Sequence, residues 1–242
     1  MPNQLLIMKS YEIVETLRKS RKAVFTPKDI AKITGLKGSE VYVLISRLYK
    51  KGMIFKPMKG FISLSQDPFI ISSQLYPPAY ISFITALYIH GKIQQIIDRI
   101  FIVTPRKRNQ IRVFGMDVHF ITLKRAMMFG YKKVRKENSY VVLADLEKAI
   151  IDCLYLPRYC RLVDVFDILK EGADMNVGRL IEYAKMSKSE AVERRLGYLL
   201  DLVEIKHDLR PKNKSTYKLN PSIKAKGEFD SKWKIYVNEV LD

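Results

Sequence analysis

Cysteine is almost missing from this chain, occurring only at Cys153 and Cys160 in 242 residues. One pair cannot build a disulfide scaffold, and no further Cys or His stands at the spacing of a zinc site. Two reduced thiols in a reducing compartment are the expectation. Histidine is as scarce, and His90, His119 and His207 are too isolated from one another to match a metal or catalytic spacing. There is no P-loop, no dinucleotide-binding fingerprint, and no Ser-His-Asp or Cys-His set that spacing supports. No cofactor, no metal and no catalytic residue is therefore expected. Long apolar runs are missing too. The richest stretch, Phe69 to Ile89, is broken by Gln74 and by Pro77-Pro78, which argues against a membrane span. The N-terminus lacks a basic region followed by an apolar run and a small-residue cleavage site, so a cytoplasmic protein is expected. Internal repeats and low-complexity segments are not found.

Acid is the other shortage. Asp and Glu number 25 against 43 Lys and Arg, a net charge of +18. Residues 1–66 hold thirteen basic residues against four acidic ones, and residues 106–136 hold ten against Asp117 alone. Segments 67–105 and 137–242 are each balanced. The whole excess thus lies in two blocks, which suits surfaces built to meet a polyanion. A merely solvated face is the plainer alternative. A membrane-surface role would call for a basic amphipathic helix, and the second block does not read as one.

Nearly half the residues are apolar (48%), enough for a sizeable core. Leu6, Ile13, Val14 and Leu17 recur at helical spacing in a first helix, Leu5 to Ser20. Thr26-Pro27 supplies a cap and a first helical proline for a short helix to about Ile33, closed by Gly35. Ser39 is expected to cap a helix to about Lys51, stopped at Gly52. Two strand-like runs, 53–55 and 61–64, flank the basic loop Lys56-Pro57-Met58-Lys59-Gly60. This is the order of a winged helix-turn-helix over residues 1–65. Residues 66–78, rich in Pro, Ser and Gln, are expected to be a linker.

Within that unit Val41, Leu44, Ile45 and Leu48 form the buried stripe of the second helix of the motif. Lys37, Ser39, Glu40, Tyr42, Val43, Ser46, Arg47 and Lys50 are left to face double-stranded DNA. Short polar side chains and apolar contacts to thymine methyls suit base reading by Ser39, Tyr42, Val43 and Ser46. Arg47, Lys50, Lys56 and Lys59 suit phosphate, which fixes position and supplies affinity without sequence preference. A three-helix unit used for protein contact is the rival reading, and Tyr42 has its own alternative as a cover for the domain's surface.

Residues 79–160 are expected to mix helices and strands: a helix over Ala79 to His90, strands at 100–104, 110–114, 118–123 and 141–144, and a helix from Leu146 to Tyr155 capped by Asp145. Residues 161–242 are expected to be mainly helical, with Asn176 and a Ser187-to-Glu190 capping box as start signals. Whether Trp233 to Val240 is strand or helix is open. Arg106, Lys107, Arg108 and Arg112, with Lys132 and Lys133, are expected to form a second basic surface for flanking DNA; RNA, a protein partner or plain solvent are the alternatives. Asp145, Glu147, Lys148 and Asp152 resemble a nuclease cluster at a glance. Glu147 and Lys148, however, are adjacent on an expected helix rather than alternating on a strand. Asp145 suits a cap, and Glu147 in the first turn suits the helix dipole.

Several strings, in their order and spacing, resemble the AbiEi-type antitoxin family. They are PPAYISFITALYIHG from Pro77, IFIVTPRKRNQIRVFG from Ile100, FGYKKV from Phe129, VVLADLEKAIIDCLYLPRY from Val141 and RRLGYLLDLV from Arg194. The resemblance spans nearly the whole chain. It implies an α+β protein with an N-terminal winged helix and a C-terminal antitoxin domain over residues 79–242. It also implies repression of its own operon from an inverted repeat and neutralisation of a nucleotidyltransferase-like AbiEii toxin, with which a stable complex is not required. No zipper-like helix is evident, so a monomer off DNA and two copies on it are expected. A ligand-sensing winged-helix regulator and a DNA-targeted nuclease are the competing readings.

Overall fold

Thr26 shows how local chemistry sets the first elements. Its hydroxyl accepts from the Asp29 N–H at 3.3 Å, and Asp29 Oδ2 accepts from the Thr26 N–H at 2.7 Å. This reciprocal box opens helix α2, Pro27–Thr34, and Gly35 closes it at φ 73°. The computed structural model describes residues 2–95 and 97–241, with side chains from Ser10 onward, so the expected role of Leu6 lies outside the described residues. Helix α1 (Pro2–Lys19) precedes a two-residue strand β1 (Val24–Phe25), and helix α3 (Ser39–Lys50) follows α2. The cap of α3 is Gly38, at φ 55°, and Ser39 is already inside the helix; no side chain caps this end. The chain needs a left-handed residue to turn between α2 and α3, and glycine takes that place ahead of the serine.

Strand β2 (Ile62–Ser63) pairs antiparallel with β1, through Val24↔Ser63 and Phe25↔Ile62. The expected pairing of 53–55 with 61–64 is reduced to a single bridge, Phe55↔Ser63. Val14, Leu17, Phe25, Ile30, Leu48 and Ile54 are among the buried residues of one apolar cluster that holds these elements together.

Residues 66–78 are not simply a linker. Pro68–Gln74 is helix α4, with Ile70 to Gln74 buried and Asp67 Oδ1 accepting from the Phe69 and Ile70 N–H groups. The Asp-Pro pair acts as Thr26-Pro27 does. Polar residues that suggest a loop are here buried and bonded: Gln74 Oε1 accepts from Ala23 N–H at 2.9 Å, and its amide donates to Tyr140 O at 2.7 Å.

Strand β3 (Tyr80–Ile81) opens the segment expected to be wholly helical, and helix α5 is confined to Phe83–Ile89. β4 (Arg99–Thr104), β5 (Ile111–Val113), β6 (Met116–Thr122), β7 (Tyr131–Lys136) and β8 (Ser139–Ala144) follow. With β3 they form a mixed sheet in the order β5-β6-β4-β3-β8-β7. β4 runs parallel to β6 and β3 parallel to β8, while β3–β4 and β5–β6 are antiparallel. The basic strand β7 was not expected, because its Lys and Arg content hides the alternation of an edge strand.

The remaining elements are α6 (Leu146–Tyr155), α7 (Leu162–Glu171), α8 (Val177–Met186), α9 (Glu190–Leu202), β9 (Tyr217–Lys218), β10 (Glu228–Asp230) and β11 (Ile235–Val237). Asn176 caps α8 as expected, but α9 is capped by Ser189, whose hydroxyl accepts from Val192 N–H, while Ser187 closes α8. The chain end is not purely helical: β10, β11 and β9 form a small sheet in that order. Cys153 and Cys160 are joined in a disulfide, contrary to the expectation of free thiols. The turn at Pro157–Tyr159 reverses the chain after α6 and brings their Cα atoms to 5.5 Å, within bridging range.

The fold class is α+β. Its division is not sequential. One unit gathers the chain to Ile81 with Asp98–Thr122 and Lys133–Leu143. The other takes Ser82–Ile97, Leu123–Lys132 and the chain from Ala144. No helix among the described residues is long and apolar enough to cross a membrane.

Candidate nucleic-acid interface

The first unit carries most of the net positive charge. It holds twenty-one Lys or Arg against eight Asp or Glu, whereas the second holds twenty-two against seventeen. α3 belongs to the first. Its Val41, Leu44, Ile45 and Leu48 are buried in the apolar cluster. Its opposite face projects Tyr42, 64% exposed, and Val43, 56% exposed, with Ser39, Glu40, Arg47 and Lys50 exposed and Ser46 half-buried.

That face has two flanks. Ser39, Glu40, Val43 and Arg47 border a groove of about 650 Å³ that also touches Ile13 of α1 and Ile33 of α2. Tyr42, Ser46 and Lys50 lie on the other flank by helical spacing. Lys37 is exposed in the preceding turn, and its N–H donates to Glu40 Oε2 at 3.4 Å, so the Glu40 carboxylate turns back on its own helix start.

The 56–60 loop is fixed beside α3. The Lys56 ammonium stands 4.6 Å from the centre of the Tyr49 ring, and Lys59 is exposed next to Gly60 at φ 83°. Tyr76 anchors this loop. Its hydroxyl donates to the Met58 sulfur at 3.8 Å, and its ring meets Phe61 edge-on at 5.5 Å. The same ring meets Phe120 of β6 at 5.4 Å, and the Arg108 guanidinium lies 4.4 Å from its centre. Phe55 and Phe114 make a second edge-on contact, at 6.3 Å, between the segment after α3 and the β5–β6 turn. Tyr76 and Phe114 were missed from the sequence. An aromatic residue inside a stretch read as linker was the one available signal for Tyr76.

The second basic block is not one surface. Arg106, Lys107 and Arg108 lie exposed between β4 and β5, and Arg112 of β5 pairs with Asp117 of β6 at 3.3 Å. Lys133 belongs to β7, at the opposite edge of the sheet, five strand spacings or about 24 Å away. There Lys133 stands over the Tyr140 ring at 4.6 Å, and Lys136 pairs with Asp67 at 2.7 Å. Lys133 and Arg135 line a cleft with Arg18, Lys19 and Arg21. Lys132 belongs to the second unit, where it pairs with Asp145 at 3.3 Å. Contiguity in sequence grouped side chains that the sheet order separates.

In the second unit the nuclease-like cluster is tied up internally. Lys148 and Asp152 are fully buried and form an ion pair, and the Ser82 hydroxyl donates to Asp152 Oδ2 at 2.7 Å. The Lys148 ammonium also lies 4.5 Å from the Phe129 ring centre. Burial pushes Lys148 below the ordinary lysine range, while the Asp152 charge pulls it back up. Glu147 Oε1 accepts from Asn176 N–H at 2.8 Å. Asp145 sits at the start of α6 but gives it no side-chain cap; it accepts from the Tyr183 hydroxyl at 3.3 Å. Among the described residues no group of three or more His, Cys, Asp or Glu is placed to hold a metal.

No protein-family model matches the sequence, and no curated protein is similar to it. Among solved structures, the chain is similar to the crystal structure of RV2827C protein from Mycobacterium tuberculosis. The identity is 15%, over 93% of this chain and 90% of that one, with a TM-score of 0.57. At that identity the likeness concerns the fold alone.

Proposed function

We propose that this chain is a sequence-specific DNA-binding regulator in which residues 1–65 act as a winged helix-turn-helix. α3 is its recognition helix and the 56–60 loop its wing. The observation that carries the reading is the exposed face of α3, Tyr42 and Val43 foremost, on the unit that holds twenty-one cations against eight carboxylates. Base-edge contact by Ser39, Tyr42, Val43 and Ser46 would supply preference. Lys37, Arg47, Lys50, Lys56 and Lys59 would supply phosphate contact. Glu40, bonded to its own turn, would shape the helix start.

The resemblance to AbiEi-type antitoxins completes the reading. The protein would be a cytoplasmic autorepressor of a toxin–antitoxin operon, acting on an inverted repeat and countering a nucleotidyltransferase-like toxin. It would work by binding rather than by catalysis. The test is binding to its own upstream DNA and to random duplex across a range of salt. Alanine at Ser39, Tyr42 or Ser46 should narrow the difference between the two by about 1–3 kcal/mol where a good base contact is lost. Alanine at Lys56 or Lys59 should weaken both equally and flatten the salt dependence. Equal weakening on both DNAs in the α3 variants would sink the recognition role. A wild-type protein without salt-sensitive duplex binding would sink the whole reading.

A further inference from the structure

Arg106, Lys107 and Arg108 are three successive exposed cations on the β4–β5 connection. Among the described residues none of the three is paired with a carboxylate. Among the described residues five cations of the same unit do have such partners, Arg18 with Glu15, Lys22 with Asp29, Arg99 with Asp98, Arg112 with Asp117 and Lys136 with Asp67, and what sets the three apart from the other unpaired cations is that they stand in succession on one turn. Exposed side chains of one sign repel each other when the turn is folded. Their grouping therefore brings no stability to the turn and suits an external counter-charge.

One aromatic ring ties the turn to the 56–60 loop. Tyr76 holds Met58 and Phe61, at the wing, and Phe120, within the sheet, while the Arg108 guanidinium stacks on it. A guanidinium stacked on a phenol keeps its edge free to donate to a phosphate. The Phe55–Phe114 contact ties the β5–β6 turn to the chain entering the wing. Two segments separated by some fifty residues in sequence are thus built into one basic flank that contains Lys59 and Arg108.

We infer that the β4–β5 turn is an extension of the wing: Arg106, Lys107 and Arg108 bind backbone phosphates of the duplex beside the site read by α3, and Tyr76 is the positioning residue that aims Arg108. The inference rests on the DNA-binding reading above. It assigns this role to the β5 edge of the sheet only, not to Lys133 and its neighbours at the β7 edge.

The experiment measures duplex binding against salt for the full chain, on its own upstream DNA and on random-sequence duplex. Each phosphate contact contributes about 0.9 to the slope of log affinity against log salt. The triple variant R106A/K107A/R108A should lower that slope by about 2–3 on both DNAs and leave their affinity ratio unchanged. K206A/R210A/K214A, which removes three exposed cations from the other unit, serves as the net-charge control and should change the slope far less. Tyr76→Leu should lose part of the slope with all charges kept, and Tyr76→Phe, which retains the ring, should restore it. Wild-type binding together with an unchanged slope in the triple variant overturns this inference and leaves the regulator reading standing. Equal losses in the triple variant and the control also overturn it, as does a triple variant that alters the affinity ratio. Absence of salt-sensitive binding by the wild type removes both.

Discussion

At the scale of single residues, the instructive pair is Lys148 and Asp152. Both lie on α6, four residues apart, and helical spacing alone marks only Leu146, Ala149, Ile150 and Cys153 as an inward stripe of that helix. The structure buries Leu146 to Leu154 entire, charged residues included. A one-sided stripe gives no hint that a helix is covered on every side. Burial makes the carboxylate essential to the ammonium: Asp152→Ala should destabilise the second unit by about 3–5 kcal/mol, whereas joint replacement by Lys148→Met and Asp152→Leu should recover most of the loss. Urea unfolding followed by fluorescence would measure this, since the single tryptophan, Trp233, lies buried in the same unit. A cost under about 1 kcal/mol for Asp152→Ala, the range of an exposed pair, would show that water reaches the site.

At the scale of elements, helices with chemical start and stop signals were legible, and very short strands were not. Thr26-Pro27, Asn176 and the closing glycine Gly35 are local devices, and each stands where expected. β1 and β3 are two residues long and exist only because a distant strand pairs with them, which no local pattern encodes. α4 was hidden by the same polar residues that now bond across the unit. α2 offers a test of how much a cap contributes. Burial would raise the Asp29 pKa, but hydrogen bonds from the Thr26 backbone and hydroxyl and the Lys22 charge outweigh it, so Asp29 titrates below the ordinary value of 3.8. A carboxyl depressed in the folded state adds stability above its unfolded pKa, and that stability is lost as pH falls through the folded value. Asp29→Ala should therefore cost about 1 kcal/mol near neutral pH, as a lost cap does. The gap between wild type and variant should close progressively at pH values below about 3.8. Denaturation midpoints at neutral and acid pH would show it; a gap independent of pH would mean that the Asp29 charge plays no part.

At the scale of the whole molecule, charge and chain order part company. Two basic blocks stand out in the sequence, yet folding gathers most of the excess into one unit, thirteen of the eighteen net charges, by adding strands β4 to β6 and most of the β7–β8 hairpin to the chain up to Ile81. Helix α3, the proposed recognition helix, was legible as a helix because its signals are local. The flank proposed to continue it was not, because Tyr76 joins segments far apart in the chain. Concentrated like charge has a further consequence. Two copies of such a unit repel each other in solution, and neutralising phosphates between them removes the repulsion. The free protein is therefore expected to sediment as a 28.2 kDa monomer. An inverted repeat should take up two copies and an isolated half-site one, with the two-copy complex dissociating first as salt is raised. Sedimentation of the protein alone and with each DNA tests this directly. A stable dimer without DNA at micromolar concentration would mean that some other surface overcomes the repulsion, and half-site spacing would then be set by that contact rather than by the DNA.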